Sequence, residues 1–457
     1  MDDSLVELAD LLARPLRTGA DARAHEVPWR GPSGPAFAVA VPGDIEEVRA
    51  IVSWARDHRR RLIPQGANTG LVGASTPPPE GPAPVVLSTN AMADRLEVRP
   101  ADAVAVVSAG VRLSALNEAA SRHGLELPVD LAADPAIGAM VATNTGGSRV
   151  MAHGDMSAHV LGVQAVLADD DVSVIGDVRG LRKDNTGPDP ARLLVGSAGS
   201  LGVITACAVS LTPLPAERAT ALIGPTADIE AVSLLPALRR ALGSGLTAFE
   251  VMCPRAVSAG LQRASIPHPV DPGAEPAVTV LVECSGGTGV ADSLLDALVD
   301  ANVHDRALAV PRTEAWALRH GITEGLASQG EVIGFDLCVQ PAHLPALRAA
   351  VRDTAHSVRP ELAVADFGHW GDGGVHANVV VPHDVAISES DRRALRAAVH
   401  ELVTTRFAGS WSAEHGIGPT NAGQWRRSTP SATRRVLAAA KAEMDPLGVL
   451  GHPGLPF

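Results

Sequence analysis

The 457-residue sequence contains no tyrosine, and aromatic residues make up only 3% of it. Cysteine is also scarce, and the four cysteines have neither the C-x-x-C spacing of zinc or redox sites nor the density of a disulfide scaffold. We expect reduced core thiols at Cys207, Cys253, Cys284 and Cys338. With 46% hydrophobic residues the composition is still that of a globular protein, so Ala, Val and Leu must fill the core.

Clustered positive charge is missing too. The formal net charge is -13 and no block of Lys or Arg interrupts the chain. Binding to nucleic acid or to an anionic membrane depends on clustered cations, so neither is expected as a partner. An anionic substrate would need a local positive site.

Long apolar runs are absent, and the longest, such as LGVQAVLA, fall far short of the ~20 residues of a membrane span. The start, MDDSLVELADLL, is acidic and lacks the basic and apolar regions of a signal peptide. We therefore expect a cytoplasmic protein without a membrane span.

Several common site motifs are missing. The sequence has no G-x-x-x-x-G-K-[ST] phosphate loop and no G-x-G-x-x-G after a predicted strand, which argues against nucleoside triphosphate and nicotinamide sites. HELVT lacks the second histidine of a zincin, and AGSLG lacks the first glycine of a nucleophile elbow.

The organisation that remains is that of two or three domains, given the length. Residues 30–215 alternate short β-rich runs with helical patterns, and residues 216–383 place long helix candidates between strands. The second pattern predicts helices covering one face of an antiparallel sheet. The first pattern leaves α/β and α+β open for residues 30–215, and the second indicates the α+β fold class.

Three glycine clusters occur in the first half: PQGANTGLVGAS (64–75), IGAMVATNTGGS (137–148) and GSAGSLGVIT (196–205). Such turns can point successive backbone N–H groups at one pyrophosphate without any cation. One of them alone is as consistent with a tight surface turn. Three in one domain indicate a long, flat ligand.

Two polar clusters occur in the second half. GHWGDGGVHANV (368–379) carries His369 and His376 on a glycine-rich turn, and SAEHGIG (412–418) adds Glu414 and His415. Paired histidines on one turn can bind one ion through imidazole nitrogens at ~2.0–2.1 Å, although a lone histidine is more often structural. Glu414 would be a third ligand and His415 a further imidazole.

Residues 30–215 resemble the FAD-binding domain of the vanillyl-alcohol oxidase / p-cresol methylhydroxylase (PCMH) superfamily. Two departures are Ala67, where the family often has Gly, and Ala198, where Glu is usual. The resemblance implies an FAD cofactor contacted by Pro64, Gly66, Asn68, Thr69, Gly70, Thr143, Asn144, Gly146, Gly147, Gly196, Gly199, Gly202, Val203 and Ile204.

The second half resembles the D-2-hydroxyglutarate, D-lactate and glycolate dehydrogenase branch, whose signatures are GH-x-GDGN-x-H and EHG. Carried over, the resemblance implies a divalent ion, Zn²⁺ or Mn²⁺, on His369, His376 and Glu414, with His415 as the catalytic base. Gly374 replaces the Asn of the pattern. The ion would lower the pKa of the substrate α-hydroxyl, and an imidazole with a pKa of ~6.5 could take its proton.

The segment WALRHGITE (316–324) resembles the LR-x-x-ITE segment of the hydroxyglutarate branch. This implies that Arg319 and Thr323 bind the substrate carboxylate, with Asn378 assisting, because an Arg fork matches a planar carboxylate. The alternative is a surface Arg on a helix. Gly334 stands where that branch has a Lys for the distal carboxylate, which weakens the case for 2-hydroxyglutarate and favours a monocarboxylate or an apolar tail.

The resemblance implies a PCMH-type FAD-binding domain (1–215), a ferredoxin-like cap domain for metal and substrate (216–420), and a C-terminal helical segment (421–457) packing back on the FAD domain. The expected reaction is oxidation of a small D-2-hydroxy acid to the 2-oxo acid, with hydride passing from Cα to flavin N5. An external acceptor (a quinone, an electron-transfer flavoprotein or a cytochrome) is expected, and a homodimer is kept open.

Three other readings remain open. A flavin oxidase that uses dioxygen on a related hydroxy acid would share every motif. An enzyme like alkylglycerone-phosphate synthase would use the flavin without net oxidation, but its active-site pattern is not found. A flavin-carrying structural subunit of a larger complex would have no need of the ligand and base candidates.

Overall fold

The computed structural model describes residues 3–29, 33–264 and 278–456. The helices are α1 (Asp3–Asp10), α2 (Arg23–Glu26), α3 (Ile45–Asp57), α4 (Leu113–Ser121), α5 (Ile137–Thr143), α6 (Val150–His153), α7 (Met156–His159), α8 (Asp228–Leu242), α9 (Pro254–Ala264), α10 (Val290–Asp300), α11 (Arg312–Ala327), α12 (Leu344–Val358), α13 (Glu389–Arg406), α14 (Gly418–Ser428) and α15 (Ser431–Met444). The strands are β1 (Ala38–Ala40), β2 (Leu62–Gln65), β3 (Val85–Ser88), β4 (Leu96–Arg99), β5 (Val104–Ser108), β6 (Leu125–Glu126), β7 (Val160–Val166), β8 (Val174–Ile175), β9 (Val203–Ser210), β10 (Thr212–Pro213), β11 (Glu217–Thr226), β12 (Leu246–Met252), β13 (Val278–Gly286), β14 (Ala307–Ala309), β15 (Gly330–Cys338), β16 (Ala363–His369) and β17 (Gly374–Pro382).

The chain forms two compact units. The first consists of Met1–Gly146, Gly154–Leu214 and His415–Phe457, and the second of Gly147–His153 and Pro215–Glu414. The short segment Gly147–His153 therefore groups with the later half of the chain, although its first two residues belong to the second glycine cluster. Among the described residues, no helix combines the length and the apolar character needed to cross a membrane.

The first unit contains a three-stranded parallel sheet, β1-β3-β2, and a five-stranded sheet, β4-β5-β9-β7-β8. Strands β5 and β9 are buried along their whole length, so they read as continuous apolar runs rather than as alternating ones. Helix α3 begins at Asp44, whose side chain accepts a hydrogen bond from the Glu47 amide at 2.9 Å. Its apolar face packs on β1, β2 and β3.

The second unit is built on a seven-stranded sheet in the order β14-β11-β13-β12-β16-β17-β15, in which every neighbouring pair is antiparallel. Helices α8, α10, α12 and α13 cover one face and helices α9 and α11 cover part of the other. The prediction of helices on one face of an antiparallel sheet is confirmed, and α9 and α11 add a partial layer on the other face that the pattern did not predict. The central strands are apolar on both faces, and each face needs a layer to bury it.

The C-terminal segment of the first unit packs on the strands and loops of that unit. Leu450 forms a parallel bridge with Leu62, and the Ala168 amide donates to the Met444 carbonyl at 3.0 Å. The Lys441 ammonium donates to the Ser200 carbonyl at 2.6 Å and pairs with the buried Asp445 carboxylate at 2.5 Å. The segment thereby fixes the third glycine cluster.

Candidate functional site

The three glycine clusters meet in the first unit. The amides of Gly196 and Ala198 donate to carbonyls of α5 at 3.1 and 2.7 Å, which joins the third cluster to the second. A Cβ at Gly199 would lie 3.0 Å from the Pro64 ring, and one at Gly66 only 2.7 Å from the Ala139 Cβ on α5. Glycine at 66 and 199 therefore permits the close approach of these loops.

The outer side of these three loops exposes glycine-rich backbone to solvent. Thr69, Gly70 and Thr143 are exposed, and a Cβ at Gly70 would meet no atom within 4 Å. The side-chain amides of the two asparagines anchor these loops to other parts of the unit. Asn68 donates to the Val27 carbonyl at 2.9 Å, and Asn144 donates to the Asp155 carboxylate at 2.8 Å. Such open, glycine-rich backbone fits a flat, anionic dinucleotide such as FAD.

The remaining candidates of the flavin set lie deeper or elsewhere. Val203 and Ile204 are buried in β9, and a Cβ at Gly202 would lie 2.9 Å from the Leu194 side chain, so these three can offer a ligand only their backbone. Gly146 is the last residue of the second cluster that belongs to the first unit. Gly147 begins the segment that groups with the second unit, where its amide donates to Glu414 Oε2 at 3.1 Å.

The polar cluster of the second unit lies on the sheet face that α9 and α11 partly cover. Strand register places the members beside one another: Glu250 on β12 pairs with His369 on β16, and Asp336 on β15 pairs with His376 on β17. Cross-strand partners point to the same face of a sheet. Four strands therefore contribute one polar side chain each.

The three predicted metal ligands converge. His369 Nε2 lies 3.4 Å from His376 Nε2, and each of these nitrogens lies 3.5 Å from Glu414 Oε1. Three atoms at these separations lie on a circle of radius about 2.0 Å, which is the length of a zinc–nitrogen or zinc–carboxylate bond. The donor set and its spacing fit a divalent ion.

Each imidazole has a carboxylate behind it. Glu250 Oε1 lies 2.5 Å from His369 Nδ1, and Asp336 Oδ1 lies 3.6 Å from His376 Nδ1. The other Asp336 oxygen accepts from the Glu414 amide at 2.9 Å. A carboxylate that accepts from Nδ1, as Glu250 does, orients a metal-binding histidine and leaves Nε2 for the ion. Asp336, His376 and Glu414 also have ligand atoms within 4.8 Å of one another.

The electrostatics of the cluster favour a cation. Three carboxylates (Glu250, Asp336 and Glu414) outnumber the single guanidinium (Arg319), and a cation would balance this excess of negative charge. Burial alone would raise the pKa of Glu250, but the charges of Arg319 and His369 outweigh it and lower the pKa to about 2. Burial would lower the pKa of His369, but Glu250 and Glu414 raise it well above its usual range.

The turn between the two histidines depends on its glycines. Gly373 has φ +95°, and a Cβ there would lie 2.0 Å from the Val339 carbonyl oxygen, so only glycine fits. The Gly374 amide donates to Asp372 Oδ1 at 2.9 Å. The turn thus keeps a backbone anchor although Gly374 replaces the Asn of the family pattern. Burial raises the pKa of Asp372 to about 6, with the Glu250 and Glu414 charges adding to the shift.

The predicted substrate residues reach this face to different extents. Arg319 on α11 is buried, donates from Nε to Glu250 Oε2 at 2.5 Å, and stacks 4.5 Å above the Phe367 ring. Thr323 is half-buried one helical turn later. Asn378 is buried and donates to the His376 carbonyl at 3.2 Å. Arg319 is therefore not the surface residue of the alternative reading.

Gly334 is the cross-strand partner of Asn378 and shares its face of the sheet. The Arg396 side chain donates to the Gly334 carbonyl at 3.5 Å, but its guanidinium lies over the ring of Phe335. Successive residues of a strand point to opposite faces. This guanidinium therefore does not replace the missing Lys on the polar face.

His415 follows Glu414 directly in the chain and begins the C-terminal part of the first unit. Sequence analysis missed Glu250 and Asp336. The available signal was a carboxylate inside an otherwise apolar strand, LTAFEVM for Glu250 and GEVIGFDLC for Asp336, because unpaired carboxylates are rarely buried.

Two family models match the chain. The model described as FAD binding domain matches residues 36–176, and the model described as FAD linked oxidases, C-terminal domain, matches residues 214–453. Among solved structures, an alkyldihydroxyacetonephosphate synthase superposes with a TM-score of 0.74 at 16% identity, covering 98% of this chain and 84% of its own. The 4-ethylphenol oxidase from Gulosibacter chungangensis gives 0.73 at 18%, covering 98% and 95%. At these identities the likeness concerns the fold alone.

Curated relatives are closer in sequence. Mitochondrial D-2-hydroxyglutarate dehydrogenase of Bos taurus is 34% identical over 421 residues, which cover 90% of this chain and 75% of the relative. The D-2-hydroxyglutarate dehydrogenase of Xanthomonas citri pv. viticola is 33% identical over 401 residues, covering 84% and 81%. That of Stutzerimonas stutzeri is 29% identical over 482 residues, covering 100% and 99%.

Proposed function

Because the chain belongs to the family of FAD linked oxidases, we propose that it oxidises a small D-2-hydroxy acid to the 2-oxo acid with FAD as its cofactor. The family, the FAD-binding domain and the α+β fold class predicted from the sequence are confirmed. The observation that carries the finer proposal is the triangle of His369, His376 and Glu414, with sides of 3.4–3.5 Å.

In this proposal His369, His376 and Glu414 hold a divalent ion, Zn²⁺ or Mn²⁺. The bound ion would lower the pKa of the substrate α-hydroxyl. Glu250 keeps His369 Nε2 aimed at the ion site by accepting from Nδ1 at 2.5 Å, and Asp336 Oδ1 lies 3.6 Å from His376 Nδ1. The fit of three ligand atoms to bonds of about 2 Å supports the proposal.

The protein's own side chains would do two further things. Arg319 would bind the substrate carboxylate through its terminal nitrogens, because its Nε already donates to Glu250. An imidazole nitrogen of His415 would accept the α-hydroxyl proton, so that the hydroxy acid loses one proton and one hydride to become the oxo acid. Bound FAD supplies the hydride acceptor.

For the substrate tail we propose a monocarboxylic acid or an acid with an apolar tail. Gly334 offers no cation on the polar face, and Arg396 lies over Phe335 on the opposite one. A second carboxylate would lose its water without gaining a partner. The D-2-hydroxyglutarate named in the relatives would then be a poorer substrate here.

The electron acceptor, the assembly and the location are outside the geometry of the site. We propose reoxidation by an external acceptor, which is a quinone, an electron-transfer flavoprotein or a cytochrome. A homodimer and a cytoplasmic location stay predictions. Oxygen uptake with the best substrate separates a dehydrogenase from an oxidase.

The test is anaerobic reduction of the bound flavin. The visible spectrum of the purified holoprotein is recorded while D- and L-2-hydroxy acids are added, both monocarboxylic and dicarboxylic. We expect bleaching by a D-monocarboxylic acid, slower bleaching by D-2-hydroxyglutarate, and none by L-acids. A flavin that no hydroxy acid reduces would overturn the proposed reaction. Equal bleaching by D-2-hydroxyglutarate would overturn only the proposed tail.

A further inference from the structure

We propose that Glu250 is a positioning residue that orients a metal ligand, His369, and the substrate cation, Arg319, at the same time. The inference rests on the metal-assisted function proposed above. Glu250 lies on β12, and its side chain is fully buried. It would touch neither substrate nor ion and would act only through its two partners.

The first contact fixes the imidazole of His369. Glu250 Oε1 lies 2.5 Å from His369 Nδ1, and the register of β12 with β16 places the two residues directly opposite. A carboxylate accepts, so Nδ1 carries the hydrogen and Nε2 faces His376 and Glu414. Without Glu250 the other tautomer would place a hydrogen where the ion binds.

The second contact fixes the guanidinium of Arg319. Glu250 Oε2 accepts from Arg319 Nε at 2.5 Å, and the guanidinium stacks above the Phe367 ring at 4.5 Å. These two contacts set the plane of the fork and leave the terminal nitrogens for a substrate carboxylate. One buried carboxylate thus links the ion-binding histidine to the substrate-binding arginine.

The neighbouring strand provides a matched comparison. Glu283 on β13 is also fully buried and also paired with arginines, accepting from Arg149 Nε at 3.0 Å and from Arg312 Nε at 2.8 Å. Its further donors are the Thr247 hydroxyl and the Trp316 indole. These partners include no histidine. Glu283 therefore resembles Glu250 in residue type, burial and charge pairing, but not in its contact with a ligand.

The simpler explanation is that Glu250 only neutralises a buried arginine. The change Glu250→Gln separates the two roles, because an amide keeps the shape but offers one accepting oxygen in place of two. If Glu250 only neutralises Arg319, the variant loses stability and retains its affinity for the ion. If Glu250 positions His369, the affinity falls as well.

The experiment measures Zn²⁺ binding by calorimetry on metal-stripped, FAD-loaded protein, for the wild type, Glu250→Gln and Glu283→Gln, with thermal unfolding in parallel. We expect Glu250→Gln to bind Zn²⁺ roughly 10–100-fold more weakly, the range seen when the partners of metal-bound histidines are removed. Glu283→Gln should keep the affinity within about twofold while losing stability. The KM for the hydroxy acid should also rise in Glu250→Gln, because Arg319 loses its anchor.

Wild-type affinity in Glu250→Gln, or an equal loss in Glu283→Gln, would overturn the inference. If Glu250→Gln does not fold, Glu250→Asp carries the test, since it keeps a charge for Arg319 but is too short to reach both partners. Wild-type affinity for Zn²⁺ in Glu250→Asp would also contradict the inference. A wild type that binds neither Zn²⁺ nor Mn²⁺ would refute the proposed metal-assisted function instead.

Discussion

The glycine loops of the first unit and the histidine cluster of the second unit offer different groups to a ligand. The loops present backbone, and the side chains of Asn68 and Asn144 are used to hold turns. The cluster presents side chains, and each of its two imidazoles has a carboxylate behind it. We therefore expect changes in the loops to alter cofactor affinity and changes in the cluster to alter rate or metal affinity.

The difference also explains which departures from the family pattern the chain tolerates. Ala67 and Ala198 replace family residues in the loops, where the backbone is what a ligand would meet, and Ala198 holds a φ of +51°. In the cluster no predicted ligand is replaced. The loss at Gly334 concerns only the substrate tail.

The largest expected effect is on rate, in the change His415→Asn. Removing a general base typically costs about 10²–10⁴-fold, so flavin reduction by the best hydroxy acid should slow by that factor. Stopped-flow bleaching measures it, with the FAD spectrum and Zn²⁺ content unchanged. His123→Asn, at an exposed histidine, is the control. Equal rates in the two variants would remove His415 from the mechanism.

The second effect is on the stability of the glycine-loop unit. Lys441→Met removes the ammonium that pairs with the buried Asp445 carboxylate and donates to the Ser200 carbonyl, and breaking a buried ion pair should cost about 3–5 kcal/mol. Urea unfolding and an FAD titration should both show the loss. The other lysine, Lys183, is exposed, and Lys183→Met should change nothing measurable. If Lys441→Met binds FAD like the wild type, the C-terminal segment does not support the loops.

The third effect is on specificity. Gly334→Lys adds a cation on the polar face, and a hydrogen bond to a charged group contributes about 1.5–3 kcal/mol, or roughly 10–100-fold in kcat/KM for D-2-hydroxyglutarate. Steady-state kinetics on D-2-hydroxyglutarate and on a D-monocarboxylate measure the change. No gain for the dicarboxylate would place the distal carboxylate elsewhere.

The smallest effect separates steric from ligand contacts in the loops. A Cβ at Gly66 would press on Ala139, and such overpacking costs about 1–3 kcal/mol, so Gly66→Ala should weaken FAD binding and lower stability of the FAD-free protein. Gly70→Ala meets no atom of the chain and should leave the stability of the FAD-free protein unchanged. Weaker FAD binding in Gly70→Ala would then show direct contact with the cofactor.

Much of the fold could be predicted because it follows from local patterns of apolar and polar residues. Apolar runs and helical periodicity indicated an α+β chain with an antiparallel sheet. The second helical layer was missed because a strand buried on both faces carries no alternation to show it. The membership of Gly147–His153 in the second unit was also missed. It depends on contacts such as Arg149 to Glu283, 134 residues apart, which no local pattern contains.

The candidate site divides in the same way. His369, His376 and Glu414 were predictable because they stand in short motifs. Glu250 was not, because its sequence signal is shared with Glu283 and Asp366, which also interrupt apolar strands. Their roles diverge through long-range contacts: strand register places Glu250 opposite His369, whereas Glu283 pairs with Arg149 and Arg312. A carboxylate in an apolar strand therefore predicts a buried polar contact, but the sequence does not identify the partner residue.

The central claim is that flavin reduction by a hydroxy acid depends on a metal ion held by the histidine cluster. It is tested most directly by the rate of anaerobic bleaching before and after chelation, with FAD retained throughout. The account predicts that bleaching is lost on chelation and restored by Zn²⁺ or Mn²⁺ in the wild type, but not restored in His376→Ala. Unchanged bleaching in fully chelated protein would contradict it.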